Sequence, residues 1–317
     1  MVSSHSLRGQ LTLAILIALW AVVIGGLAVL QPGALGVSTL TTVLQFSTIL
    51  ALVALGQALV VLCGGAGIDL SVGGTVSLVA ILAMLAVRAG MPGFLVPLVC
   101  LTAGAGLGAV NGWLVARLNI LPLIATLGTF FVYSGVAVAI TGGAAVSGVP
   151  AFLLPWGRGT VLGMPLPFLV TALPAFLIAI VLLGTTTWGR WIYAMGFNER
   201  SARLVGIPVD RTRLLLYTIS GLLAGLAALV SLAWLGSGRP NIGQNLELTS
   251  LTAVLLGGVS IFGGRGNVGG VLAAVLLLVT LQTGLLQLNV NSVWQVGIVG
   301  ALLVAVLAAD GLTNRRR

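Results

Sequence analysis

The sequence predicts an all-α, polytopic transmembrane helical bundle of about ten spans, and three observations carry that prediction. Charged residues make up 6% of the 317-residue chain and apolar ones 59%, whereas a soluble domain needs about 25% charged residues. Apolar runs near the ~20 residues that a bilayer requires recur along the whole chain. The 45 glycines supply the small surfaces that let helices approach closely in lipid. A single membrane domain, residues 1–317, accounts for the chain, with a charged cytoplasmic loop at 185–213.

Arg8 precedes the first apolar run, Leu11–Leu30. That run is long for a signal-peptide core and no small-x-small cleavage site follows it, so it reads as a retained span. Gln31-Pro32-Gly33 ends it, and a second span covers Thr39–Leu62 with Gln45 and Gln57 inside. Gly64 to Gly74 then holds five glycines; irregular backbone at this depth is tolerated only inside protein or against water. The third span is Val72–Val87, the fourth Leu95–Ala116 and the fifth Leu123–Thr141, each separated by an arginine or a proline turn. A loop with Pro150 and Pro155 leads to the sixth, Leu166–Gly184. Beyond the charged loop come Leu214–Leu235, a short eighth span at Leu248–Phe262, then Val268–Leu288 and Val293–Ala309.

All 14 basic residues are arginines, and they test the count. With ten spans and both termini cytoplasmic, 11 of the 14 fall inside and only Arg88, Arg158 and Arg239 outside, as the positive-inside rule requires. Removing one span before the charged loop reverses much of this bias. The net charge of +9 therefore reports membrane topology; the basic residues are scattered and lack aromatic interleaving, so nucleic acid is not a partner.

Thr185 to Arg213 holds seven of the 19 charged residues. Within it Asn198 caps a short helix by accepting a free backbone N–H, and Glu199 places negative charge at the dipole's positive end, four residues before Arg203. Gly206 supplies a left-handed stop and Pro208 forbids continuation. Seven residues, Glu199 to Val205, are too few for a helix that stands alone in water. Ala202 and Gly206 on one face would admit a closely packed partner. Such an element reads as a docking site.

Catalysis is poorly supplied. The only histidine is His5 and there is no lysine, which excludes histidine triads, histidine metal sites and the lysine phosphate loop. Neither a catalytic nor a metal-ligating set emerges, and if ATP drives this protein another chain hydrolyses it. Cys63 and Cys100 sit in apolar runs as small buried hydrophobes. Gly104-Ala-Gly106-Leu-Gly108 lies within a span with no preceding strand, so helix packing explains it better than a dinucleotide site. Asp69 is the one acid placed near membrane depth, either a gate or ion site or, with Ser71, the cap of the third span. Gln57, Asn111 and Thr126, with Gln45, Ser134, Gln244, Asn245, Gln282 and Gln287, either line a path for a hydroxyl-rich solute or hydrogen-bond between helices. Gly64-Gly-x-x-Ile68 recurs as Gly257-Gly-x-x-Ile261, which is either a trace of duplication or a coincidence of glycine content.

Four stretches in order, Gly67–Gly73, Asn119–Gly128, Gly189–Ile207 and Ala253–Gly266, resemble the membrane permease subunits of bacterial sugar ABC importers, the branch of ribose, xylose, galactoside and autoinducer-2 permeases. The resemblance implies a ten-helix, type II-like permease in the bacterial inner membrane, paired with a second copy or paralogue. It further implies ATP-binding cassette subunits that carry the ATP and Mg, an extracytoplasmic solute-binding protein, and no cofactor on this chain. By motif it puts ATPase docking on Gly189, Arg190, Gly196, Asn198, Glu199, Ala202, Arg203, Gly206 and Ile207. Phe197 departs from the small or polar residue usual there. Two other readings stand beside it. An ion- or proton-coupled carrier would use Asp69, and a branched-chain amino-acid permease would usually read Leu-Ser-Leu-Gly at Ile68–Ser71.

Overall fold

Helix α2 forms the centre of the bundle, because it is apolar all round and such a helix is stable only when enclosed. The computed structural model describes residues 3–30 and 36–315. The chain forms α1 (Ser3–Leu30), α2 (Val37–Leu62), α3 (Val72–Arg88), a 3-10 turn at Gly93–Leu95 running into α4 (Val96–Ala116), and α5 (Pro122–Thr141). Next come β1 (Val146–Ser147), α6 (Leu153–Arg158), β2 (Thr160–Val161) and β3 (Met164–Pro165). A π turn at Phe168–Ala172 opens α7 (Leu173–Thr185), followed by α8 (Thr187–Phe197), α9 (Glu199–Leu204), α10 (Val209–Leu235) and β4 (Ser237–Gly238). The chain closes with α11 (Leu246–Leu256), α12 (Val268–Gln287) and α13 (Ser292–Arg315). The Gln31-Pro32-Gly33 stop and the last two arginines lie outside the described residues. From Val43 to Leu62 every α2 residue except Phe46 is buried, under α10, α11 and α12.

Among the described residues, six helical stretches are long and apolar enough to cross a membrane: Val37–Leu62, Gly93–Ala116, Pro122–Thr141, Phe168–Thr185, Val209–Leu235 and Val268–Gln287. Four shorter apolar stretches, Leu16–Val29, Val72–Arg88, Leu246–Leu256 and Val293–Ala305, accompany them. The eighth segment differs most from expectation. It starts at Leu246 and stops at Leu256, because Gly257 and Gly258, the latter at φ +87°, turn the chain. At 11 residues it is about 16 Å long, half of the ~30 Å hydrocarbon core. The missing half is irregular chain. After α10, Gly238 packs on Ala80 and Met84, the Gly243 N–H donates to Ser77 Oγ at 3.0 Å, and Gly243 packs on Gly73. Residues 236–245 thus descend beside α3 before α11 begins.

Helices α4 and α10 meet through glycine. A Cβ on Gly108 would stand 2.9 Å from Gly221 Cα, and one on Gly104 would stand 2.8 Å from Gly225 Cα. Gly106, in the same run, faces open space. The Gly-Ala-Gly-Leu-Gly stretch is a packing surface of the small-xxx-small kind. Away from the helices, β1 pairs with β4 and β2 with β3, two antiparallel ribbons of two residues per strand at the end opposite α9. The all-α expectation holds apart from these. Cys63 and Cys100 are both buried thiols.

Candidate functional site

At one end of the bundle three glycine turns converge. Gly64 packs on Gly196, Gly263 packs on Gly64, and Gly196 touches Gly264, whose N–H donates to Leu62 O at 2.9 Å. Gly64 and Gly264 have φ of +72° and +68°, a region where any Cβ is strained. The turn that follows the second Gly-Gly-x-x-Ile stretch thus packs on the first, while Gly257 itself packs on Gly270 and Val271. Helix α8, which the sequence reading left as loop, seats on this junction. Thr186 caps it by accepting Gly189 N–H at 3.1 Å, its buried residues Gly189, Ile192 and Met195 share one face, and Tyr193 Oη donates to Gly266 O at 3.0 Å.

Helix α9 follows with both ends closed. Asn198 Oδ1 accepts Ser201 N–H at 2.9 Å. At the other end Gly206 N–H donates to Arg203 O and Ile207 N–H to Ala202 O, each at 3.1 Å, with Gly206 at φ +83°. This is a Schellman stop. The helix is six residues, one shorter than expected. Four charges then staple it to α10. Arg203 bridges Glu199 Oε1 at 2.9 Å and Asp210 Oδ1 at 2.5 Å, while buried Arg213 donates to Glu199 Oε2 at 2.6 Å. The Arg213 hydrogen bond holds the Glu199 carboxyl below the usual carboxylate range, against the opposing effect of its partial burial, with Arg203 adding to the lowering.

Exposure sorts the predicted docking residues. Arg190, Asn198, Arg203 and Gly206 are exposed, and Glu199, Gly196 and Ile207 partly so. Gly189 and Ala202 are buried. Ala202 and Gly206 do not share an open face: Ala202 packs inward against the bundle while Gly206 stands free. The large apolar side chains left open here are Phe197, Leu204 and Val205, which are 74%, 82% and 76% exposed. Phe197 is flanked by the turn holding Gly264 and the exposed Phe262.

The residues suggested for a path or gate lie elsewhere, in a closed polar cluster. Asp69 Oδ1 accepts Ser71 N–H at 3.1 Å and Ser71 Oγ–H at 2.6 Å, and Asp69 Oδ2 accepts Ser220 Oγ–H at 2.8 Å. Asn111 Nδ2 donates to Ser71 Oγ at 2.6 Å, and Thr129 Oγ1 donates to Asn111 Oδ1 at 2.7 Å. Thr126 Oγ1 donates to Pro122 O at 2.8 Å. Ser71 precedes α3 but its hydroxyl makes no capping bond; the carboxylate beside it braces α3, α4, α5 and α10 together. Ser220 lies about 16 Å along α10 from Val209, so the brace is deep in the bundle. Nor is Asp69 the only acid at depth. Glu247, in the first turn of α11, has a buried carboxylate oxygen with no hydrogen-bond partner among the described residues.

A cavity of about 440 Å³ lies between α2, α11, α12 and α13. Gln244, Asn245 and Gln282 line it, whereas Gln45 and Gln287 bond to Gly157 O and Thr39 Oγ1. The polar side chains of the spans thus divide between structural bonds and a hollow. Its lining residues come from four separate stretches, within 46–50, 234–252, 279–286 and 295–303, which local spacing does not reveal. Among the described residues no group of three His, Cys, Asp or Glu side chains converges.

Comparison with known proteins fits this arrangement. The family described as branched-chain amino acid transport system / permease component matches residues 39–307. The ribose import permease protein RbsC of Escherichia coli (strain K12) is 35% identical over 96% of this chain and 94% of that protein. RbsC of Bacillus subtilis (strain 168) is 43% identical over 48% of this chain and 47% of that protein. The xylose transport system permease protein XylH of Escherichia coli (strain K12) is 37% identical over 45% and 38%. No solved structure matches the chain.

Proposed function

Because the chain belongs to the branched-chain amino acid transport system / permease component family, we propose that it is the transmembrane subunit of an ATP-driven importer that carries a neutral sugar into the cytoplasm. It is a transport subunit and not an enzyme; ATP and Mg bind a separate ATPase chain. The observation that carries this reading is α9, a helix too short to stand alone, clamped by caps and ion pairs, that presents Leu204 and Val205 to water. Rigid attachment to α10 lets an ATPase move α9 and the bundle together. Arg190, Arg200, Arg203, Arg211 and Arg265 gather at this end, which supports a cytoplasmic side here by the positive-inside rule. The four shorter apolar stretches complete ten crossings, with both termini cytoplasmic. A solute-binding protein meets the opposite end, where α6 and the two ribbons lie, and a second permease copy or paralogue completes the path.

A neutral solute fits better than a zwitterionic amino acid, because no charged side chain lines the cavity, and a desolvated zwitterion would need paired charges. Uptake of radiolabelled D-ribose by cells lacking and then regaining this chain tests the reading. Uptake is expected to return with the chain, to survive a protonophore while ATP is maintained, and to stop when ATP is depleted. Uptake that collapses with the proton gradient alone would favour a proton-coupled carrier.

A further inference from the structure

We propose that the cavity between α2, α11, α12 and α13 is a transit site for a neutral polyhydroxylated solute, open towards the side away from α9, with the Phe46–Trp234 pair at its rim. This rests on the importer reading above. The volume of about 440 Å³ is within the ~300–1,000 Å³ of small-molecule sites. Gln244, Asn245 and Gln282 line it, and among the described residues none of these side chains makes a hydrogen bond. A carboxamide without a partner is costly against lipid, so these groups mark a space that holds water or solute. Each offers two donors and an acceptor, and a sugar hydroxyl answers both.

The backbone supports the same assignment. Asn245 sits at φ +66° where irregular chain becomes the half-length α11. Discontinuous helices of this kind build solute sites within the membrane, because only there can unwound backbone be satisfied. Trp234 lines both this cavity and a smaller polar recess of about 190 Å³ formed by Thr41, Thr42, Gln45, Arg158 and Thr160. Between the two hollows Phe46 and Trp234 meet edge to face at 4.9 Å and 89°, and Arg158 Nε fixes the tryptophan backbone by donating to Trp234 O at 2.8 Å. An aromatic pair there offers a sugar ring an apolar surface.

The route onward is written on α2. Leu50 lines the cavity, and Gln57, seven residues later, shares its helix face about 10 Å nearer the α9 end. Gln57 is fully buried with both amide atoms unpartnered among the described residues. At the α9 end α11 and α12 close through Gly257, packed on Gly270 and Val271. When that contact opens, the Gln57 amide is the next group to meet the solute.

Single cysteines test this in the assembled transporter, since the native Cys63 and Cys100 are buried. Thr249→Cys and Gln282→Cys are expected to react with a small water-soluble methanethiosulfonate added from the side opposite α9, and saturating D-ribose to slow that reaction at least threefold. Phe131→Cys, 65% exposed on the apolar outer face, should stay unlabelled. Gln282→Leu is expected to lower D-ribose uptake at least tenfold with the amount of assembled protein unchanged. Cavity cysteines as inert as Phe131→Cys, labelling indifferent to D-ribose in a complex that transports it, or normal uptake by Gln282→Leu would each overturn the proposal. Failure of the importer reading would look different: wild-type cells without sugar uptake, their cavity cysteines still labelled.

Discussion

Glu199→Ala is expected to lower sugar uptake about 30-fold while leaving the protein folded in the membrane. Glu199 is the shared anion of Arg203 and Arg213, and its loss strands the guanidinium of Arg213, a residue only 8% exposed. Removing one partner of a fully buried pair costs ~3–5 kcal/mol. Here the glutamate side chain is 33% exposed, so solvent screening reduces the cost to about 2 kcal/mol, or about 30-fold in the population of docked α9. The penalty falls on the seating of one helix and not on the core, so membrane levels persist. Uptake assayed beside the level of membrane-inserted protein checks this. The double variant Glu199→Ala/Arg213→Met should recover part of the loss, because it removes the stranded charge. Mild acid should not mimic the mutation. Glu199 has a lowered folded pKa, so its contribution is present above its unfolded value and disappears only as pH falls through the lower folded one.

Gly221→Leu is expected to abolish the folded protein altogether. A Cβ at Gly221 would stand 2.7 Å from both Gly108 N and Cα. These are backbone atoms of a helix and no rotamer change relieves them, so the cost exceeds the ~1–3 kcal/mol of ordinary overpacking. Gly106→Leu is the control, since nothing lies within 4 Å of a Cβ there. Size-exclusion profiles in mild detergent should show a single sharp peak for Gly106→Leu and aggregate for Gly221→Leu.

The apolar segments were legible because a bilayer demands apolar length, and each of the ten predicted segments carries a helix over most of its extent, the eighth only to Leu256. Helix α9 was legible because Asn198, Gly206 and Pro208 are local signals and act locally. What stayed hidden depends on distant chain. Helix α8 mixes Trp188, Arg190 and Tyr193, so its buried face emerges only against the Gly64 and Gly264 turns. The half-length α11 was extended to Phe262 because Val259 and Ile261 prolong the apolar run, while Gly257 and Gly258 end the helix. Ala202 looked like an open docking surface, yet it is the residue by which α9 grips the bundle. The Asp210–Arg203–Glu199–Arg213 network was half seen, as the i,i+4 pair alone. The cavity carries no local motif at all, and its only sequence trace is an excess of carboxamides near apolar runs.

The most direct test of α9 as the docking point is affinity purification of the tagged chain from native membranes, wild type beside Leu204→Asp, with mass spectrometry of the proteins retained. Leu204 is 82% exposed, so an aspartate there leaves the fold intact and places a charge where an apolar partner surface would bind. Recovery of an ATP-binding subunit with the wild type and its loss with Leu204→Asp is the predicted result. An ATP-binding subunit held equally by both, or a wild-type chain recovered alone in several mild detergents, would contradict it.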